Sequence, residues 1–340
     1  MRVDDFDFEL PQELIAQTPA PTRRQSRLLT VRRSDGTIGH GDFSALLEEM
    51  TAGDLLVLNS TRVRHARLLG TRPSGAPAEV LLIHPGADGT WVAMGKPGHA
   101  LRPGTRIILG DGIEIETVEV LDGPNRLVRF VGGTAEAAMA QFGRLPLPPY
   151  IAREPDATDE DRYQTVFADR EGSVAAPTAG LHFDWPLLSA LEAAGIRVEY
   201  LDLEVGPGTF RPVEVEDPRE HPMHPEKFRI PERLAAAVGD TRAAGKAVWA
   251  VGTTVVRSLE AAADEQGAIR SGEQETNLLI LPGYRFKTVD RLITNFHLPR
   301  STLFMLVSAF GGSELVLRAY QTAIAHRYRF YSYGDAMLIG

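Results

Sequence analysis

Apolar and polar positions change rhythm twice along the chain. From residue 61 to about 150, short β-rich runs alternate with turn residues, at 78–84, 91–94, 105–109, 113–120 and 127–131. Pro85-Gly86, Asp88-Gly89 and Asp122-Gly123-Pro124 separate them. Short strands at this spacing predict a small antiparallel barrel or sandwich. A helix over 134–142 and the proline-dense linker 145–150, extended and semi-rigid, close the region.

After about residue 165 the period lengthens. Apolar residues at 187, 188, 191 and 194, with Gly195 just past them, predict a helix over 185–194. A strand over 196–205 follows. Pro231 opens a second helix that runs to 244, where Gly245 stops it. Then come a strand over 247–251, the loop Gly252-Thr253-Thr254 and a helix to 263. Residues 277–281 and 291–294 read as strands, 302–310 and 315–328 as helices, and 54–59 supplies another strand. Strands alternating with helices predict βα units in a parallel or mixed sheet. The expected class is α/β, a mixed-sheet α/β domain of residues 1–60 and 151–340. A small antiparallel β-barrel domain, 61–150, is inserted into it.

Composition sets limits on function. At 340 residues two domains are the better expectation, and 43% hydrophobic residues suffice for a packed interior. Cysteine is absent, which excludes disulfides and thiolate metal sites. The acidic start of the chain lacks an apolar core of signal-peptide length. The longest apolar runs, such as 303–307, are too short to span a bilayer. A cytoplasmic protein without a membrane partner, and a monomer, is the expectation. The net charge of −9 argues against indiscriminate nucleic-acid binding. Its distribution qualifies that. Residues 14–34 and 55–78 contain no acid, and the second stretch carries Arg62, Arg64, Arg67 and Arg72.

Candidate chemistry lies in loops. The run 172–184 places the small-residue loop Thr178-Ala179-Gly180 ahead of His182 and Phe183, with a helix following. Small residues admit close backbone approach to a ligand, and a helix start presents unpaired N–H groups. Gly252-Thr253-Thr254, with Arg257 one turn further in, repeats the arrangement, as does the stretch 295–302 with Asn295, Phe296 and His297. A fourth loop, 205–211, contains Gly206 and Gly208. In α/β sheets ligands collect beyond the C-terminal ends of strands, so these loops are expected to share one crevice. Phosphate-loop, dinucleotide and nucleophile-elbow glycine motifs do not occur. His221-Pro222-Met223-His224 lacks a third ligand at characteristic spacing, and no metal is expected.

Long motifs in order then define a resemblance. They include Asp5-Phe-Asp-Phe-Glu-Leu-Pro11, Leu55-Leu-Val-Leu-Asn-Ser-Thr-Arg-Val63, Pro146-Leu-Pro-Pro-Tyr-Ile151 and Arg162-Tyr-Gln-Thr-Val166. Ser173-Val-Ala-Ala-Pro-Thr-Ala-Gly-Leu-His-Phe183, Val251-Gly-Thr-Thr254, Thr294-Asn-Phe-His-Leu-Pro299, Met305-Leu-Val-Ser-Ala-Phe310 and Tyr328-Arg-Phe-Tyr-Ser-Tyr-Gly-Asp-Ala-Met-Leu-Ile339 continue the series. Nearly end to end, the chain resembles the S-adenosylmethionine:tRNA ribosyltransferase-isomerases of queuosine biosynthesis. It departs from the usual family pattern at Ser60 (commonly Asp), Pro207 (commonly Ala) and His65 (commonly Pro). The missing carboxylate at Ser60 argues against an essential base there.

The resemblance implies transfer and isomerisation of the ribosyl part of S-adenosylmethionine onto a tRNA base. The acceptor is the aminomethyl-7-deazaguanine at the wobble position, and the products are epoxyqueuosine-tRNA, adenine and methionine. S-adenosylmethionine is then a consumed substrate, with no further cofactor. A tRNA methyltransferase and a non-catalytic tRNA-binding protein are the rival readings. The sulfonium acidifies the ribose C5′ protons, so the reaction needs a proton-transfer group near neutrality. His182 and His297 are the candidates, with His182 favoured because its loop has the smallest neighbours, and Asp335 is expected to orient an imidazole or face the sulfonium. Arg257 with the Thr253 and Thr254 amides suits the methionine carboxylate. Phe183, Phe296 and Tyr331 offer aromatic faces. Asn59 and Asn295 offer edges for base or ribose, and Thr61, Thr178, Gly180 and Gly208 complete the expected substrate site. Arg62, Arg64 and Arg67 are expected on tRNA phosphates.

Overall fold

The structure, a computed structural model, describes residues 1–206 and 213–340. The chain begins with β1 (Arg27–Val31), β2 (Ile38–Asp42), the short helix α1 (Leu46–Glu49) and β3 (Leu55–Asn59). Next come β4 (Thr61–Val63), β5 (Arg67–Thr71), β6 (Pro77–Pro85), β7 (Thr90–Lys96), β8 (Arg106–Gly110), β9 (Ile113–Val120) and β10 (Arg126–Val131). Helix α2 (Ala135–Phe142), β11 (Gly143–Arg144), α3 (Ala157–Arg162) and β12 (Arg170–Ser173) follow. The remainder runs α4 (Trp185–Ala193), β13 (Arg197–Leu203), β14 (Glu226–Ile230), α5 (Glu232–Ala243), β15 (Val248–Val251) and α6 (Thr253–Ala262). It ends with β16 (Gly272–Thr276), β17 (Arg291–Asn295), α7 (Thr302–Gly311), α8 (Ser313–Ala325) and β18 (Ala336–Ile339).

Among the described residues, nine strands form a mixed sheet in the order β16-β14-β13-β3-β15-β17-β18-β1-β2. The central neighbours β13, β3, β15 and β17 are parallel. The sequence of β3, Leu-Leu-Val-Leu-Asn, explains its central place, because every residue is buried. Successive side chains on a strand point to opposite faces. Leu55 and Val57 accordingly enter one core, with α5 to α8, while Leu56 and Leu58 enter another with Phe43, Phe183 and α4. In β15, Val248 and Ala250 divide from Trp249 and Val251 in the same way. Cover on both faces is what a parallel sheet of continuous apolar runs requires. Asp184 caps α4 by accepting from the Leu187 N–H at 2.9 Å, and Ser301 caps α7.

A separate antiparallel sheet has the order β11-β5-β6-β7-β10-β9-β8. Alternation sets its faces: Ile113, Ile115 and Thr117 of β9 are buried, and Glu114 and Glu116 between them are not. Its interior holds Leu68, Val80, Leu82, Ile107, Ile115 and Val128. Thr71 of β5 also pairs with Ile108 of β8. The parallel pair β4–β12 lies between the two sheets in the chain, with Thr61 opposite Arg170.

Three expectations shift. The strand expected over 277–281 lies instead at Gly272–Thr276. There the polar run Gly-Glu-Gln-Glu-Thr forms an edge beside β14, whereas Ile280 leaves the sheet to enter the core. The last helix stops at Ala325 and not at 328, because Arg327 adopts φ +55° and turns the chain. Strands β1, β2, β14 and β18 of the large sheet, and β4, β5, β11 and β12, were not anticipated. No described helix is long and apolar enough to cross a membrane by itself; α7 and α8 reach that length only together, across a 114° bend.

Candidate active site

The parallel strands β3, β13, β15 and β17 send their following segments to one edge of the large sheet. A cavity of about 60 Å³ lies there, lined by Thr178, Thr253, Thr254, Asn295, Phe296 and His297, with Tyr150 and Tyr331 beside them. The loops Pro177–Ala179, Gly252–Thr254 and Thr294–Leu298 therefore meet, as their composition predicts. Gly252 has φ +93°, a conformation that favours glycine, and it lets β15 turn into α6 so that Thr253 and Thr254 open the helix.

His297 lines this cavity. Its Nε2 lies 2.7 Å from Thr294 Oγ1, and its backbone N–H donates to the Tyr320 hydroxyl at 2.9 Å. Burial pushes its pKa down to about 3. His182 stands one residue further in. It is 3% exposed, its ring stacks on Phe43 at 5.0 Å, and its Nε2 lies 3.2 Å from Asn295 Nδ2. Burial lowers its pKa to about 4, with Asp335 opposing and Arg329, Arg23 and Arg162 assisting. Both rings are therefore neutral at pH 7, and weaker bases than the near-neutral groups expected.

Asn295 separates His182 from the cavity. Its Nδ2 also donates to the Tyr331 carbonyl at 3.0 Å, while its Oδ1 is buried with no partner among the described residues. Tyr331 adopts φ +71° and stacks on Tyr150 with ring centroids 4.4 Å apart. Its hydroxyl is likewise buried without a partner, and burial raises its pKa. An acceptor on Asn295 and a donor on Tyr331, two residues of the cavity lining, are thus unpaired among the described residues. Phe296 serves both cavity and core, packing edge-on against Tyr320 and Tyr328.

Other expected site residues do structural work. Asn59 is 2% exposed; its Oδ1 accepts the N–H groups of Thr61 and Leu203, and its Nδ2 donates to the Leu203 carbonyl. Thr61 Oγ1 lies 2.7 Å from Ser173 Oγ. These bonds lash β3 and β4 to β12 and β13 and leave neither side chain for a nucleoside. Ser60 donates to Asp202 Oδ1 at 2.8 Å. Phe183 is fully buried, edge-on to Phe43. Gly180 lies against Thr165 and Phe167, away from the cavity lining. Asp335, 2% exposed, contacts neither imidazole; it accepts the N–H groups of Arg27 and Arg329 and pairs with the Arg27 guanidinium at 3.0 Å. Gly208 lies outside the described residues.

Arg257 departs most from expectation. It does not join the Thr253 and Thr254 amides. It lines a larger cleft of about 460 Å³ that lies between the two sheets and touches the small cavity at Val205 and Leu303. Its Nη1 is paired with Glu226, and its Nε donates to the Leu278 carbonyl at 3.0 Å. His221, His224, Glu204 and Glu275 line the same cleft. Sequence reasoning weighed the two histidines only as metal ligands and passed over Glu226. A neutralised basic residue, Arg67, is the other correction. Arg67 is held by Glu154 at 2.7 Å and Glu79 at 3.0 Å, with Glu154 chiefly raising its pKa, so its charge is already matched. Arg62 donates to the Ala168 carbonyl, and Arg64 lies over the Trp91 ring, 5.5 Å from its centroid.

A loop-lined cavity at the C-terminal edge of a mixed α/β sheet, with His297 and polar groups that lack protein partners in its lining, lies where α/β proteins bind ligands. Known proteins narrow the class. The pattern of the queuosine biosynthesis protein family matches residues 3–339, and the chain belongs to that family. A relative from Symbiobacterium thermophilum called S-adenosylmethionine:tRNA ribosyltransferase-isomerase is 51% identical over 342 residues and covers all of both chains. One of the same name from Geobacter sulfurreducens is 49% identical, again over the full length of both. A crystal structure described as S-adenosylmethionine tRNA ribosyltransferase from Thermotoga maritima matches with a TM-score of 0.57. It is 34% identical and covers 99% of this chain and 100% of its own.

Proposed function

We propose that the chain is an enzyme that transfers and isomerises the ribosyl moiety of S-adenosylmethionine onto tRNA. The acceptor is the aminomethyl-7-deazaguanine at the wobble position, and the products are epoxyqueuosine-tRNA, adenine and methionine. The observation that carries this reading is end-to-end identity of about one half with relatives of that name. S-adenosylmethionine is consumed, and no other cofactor takes part. The enzyme acts as a cytoplasmic monomer on tRNA, with no membrane partner.

The site follows from the cavity. Thr178, Thr253, Thr254, Asn295, Phe296 and Tyr331 hold the sulfonium nucleoside. His297 is the imidazole placed at the cavity wall to accept a proton from the acidified C5′ position, although burial holds its pKa below the near-neutral range that suits a general base. His182 acts through Asn295 as a positioning residue. Arg62 and Arg64 approach the RNA backbone. The antiparallel region, 61–150, is a small barrel inserted into an α/β domain of 1–60 and 151–340; the Thr71–Ile108 pairing, which joins β5 to β8, supports closure. The test is product chromatography after incubation with S-adenosylmethionine and tRNA carrying the aminomethyl base. Free adenine and methionine are expected; S-adenosylhomocysteine, or no small product at all, would overturn the reading.

A further inference from the structure

The cleft between the sheets, of about 460 Å³, holds Arg257 and the start of the loop expected at 205–211. Arg257 sits on α6 and Glu226 at the start of β14, and both are more than nine-tenths buried. The guanidinium uses Nη1 on Glu226 and Nε on the Leu278 carbonyl, which leaves Nη2 buried without a partner among the described residues. A buried arginine donor left unpaired in the protein costs stability unless something else accepts from it. Only Oε2 of Glu226 takes the arginine. The pair therefore sets a spare donor beside a carboxylate, with no net charge between them. Apolar Leu278, Ile280, Leu303 and Leu306 line the wall near it.

We infer that this buried Arg257–Glu226 pair seats the α-amino-acid end of a ligand, its carboxylate on Arg257 Nη2 and its ammonium on Glu226. An α-amino acid carries the two opposite charges on one carbon, which matches a donor and an acceptor held side by side. A net-neutral zwitterion adds no uncompensated charge to a buried neutral pair. A phosphate would add negative charge to a lining in which Glu204, Glu226 and Glu275 already outnumber Arg257 and Lys227, and the cleft suits it less well than a zwitterion. The volume of about 460 Å³ accommodates a ligand larger than the amino acid alone. The inference rests on the proposed reaction for the identity of that ligand, S-adenosylmethionine. Its methionyl end lies in the cleft, and its nucleoside points past Val205 and Leu303 towards the smaller cavity, which both residues also line.

Calorimetric titration of the full chain tests the seat without tRNA. The probes are S-adenosylmethionine and 5′-dimethylthioadenosine, a sulfonium nucleoside lacking the amino acid. S-adenosylmethionine is expected to bind roughly 10²-fold tighter, from two charge-assisted hydrogen bonds. In Glu226→Gln and in Arg257→Lys that advantage should shrink to about threefold or less, with the truncated nucleoside bound as in the wild type. Equal binding of the two probes by the wild type overturns the seat, as does an undiminished advantage in either variant. If one variant fails to fold, the other still decides. Failure of the reaction reading shows separately: a protein that binds S-adenosylmethionine with this advantage yet releases no adenine keeps the seat and loses the reaction. A protein that binds neither probe loses both.

Discussion

His297 lines the small cavity and His182 lies behind Asn295, and the protonation of both is set by burial. Each imidazole has a folded-state pKa well below the ordinary 6.5, about 4 for His182 and about 3 for His297. The unfolded chain therefore binds protons more readily than the folded one between pH 6.5 and 4. Stability is greatest above 6.5 and falls as pH drops through that window, by on the order of 2–3 kcal/mol per ring at pH 4.5. Urea midpoints measured from pH 7.5 to 4.5 should decline, and His182→Asn should flatten the decline; a level profile in the wild type contradicts the buried, neutral rings. The meeting of the loops that carry His297, Thr253 and Asn295 was legible in the sequence because loops after parallel strands collect at one edge of a sheet. Asn59, Thr61 and Asp335 carried the same local signal but lash backbone segments together. Only the positions of Leu203, Ser173 and Arg27, far away in the chain, reveal that.

At the scale of elements, the join between β3, β4, β12 and β13 depends on polar groups. Asn59→Ala would strip partners from the Thr61 and Leu203 N–H groups and from the Leu203 carbonyl. The expected loss is about 2–4 kcal/mol of stability, with the KM for S-adenosylmethionine unchanged in the folded fraction. A raised KM at unchanged stability would return Asn59 to the substrate site. The central strands β3, β13, β15 and β17 were readable from apolar runs between turn residues. The edge pair was not: β2, Ile-Gly-His-Gly-Asp, has no apolar alternation, and β1 owes its place to β18, some 300 residues later. The strand expected at 277–281 failed because apolar residues can fill a core from a loop as well as from a strand.

Over the whole molecule, an acidic chain of net charge −9 must keep a local basic surface if it is to hold RNA. Acid-free stretches were visible in the sequence, but pairing was not, and Glu154 and Glu79 take Arg67 out of consideration. Arg62→Glu with Arg64→Glu should weaken tRNA binding and reduce the slope of log affinity against log salt by about two. An unchanged slope, read by filter binding across a salt series, would move the RNA elsewhere. The same sheets that define the architecture also frame the two cavities, so substrate and RNA are expected to meet near the Val205–Leu303 boundary.

The central claim is that the sugar of S-adenosylmethionine, and not its methyl group, reaches the tRNA. Its most direct measurement uses S-adenosylmethionine carrying one isotope in the ribose and another in the methyl group, with mass spectrometry of the tRNA nucleosides and the small products. The account predicts ribose label in the modified nucleoside and methyl label in free methionine. Methyl label in the tRNA, or ribose label confined to released small molecules, would contradict it.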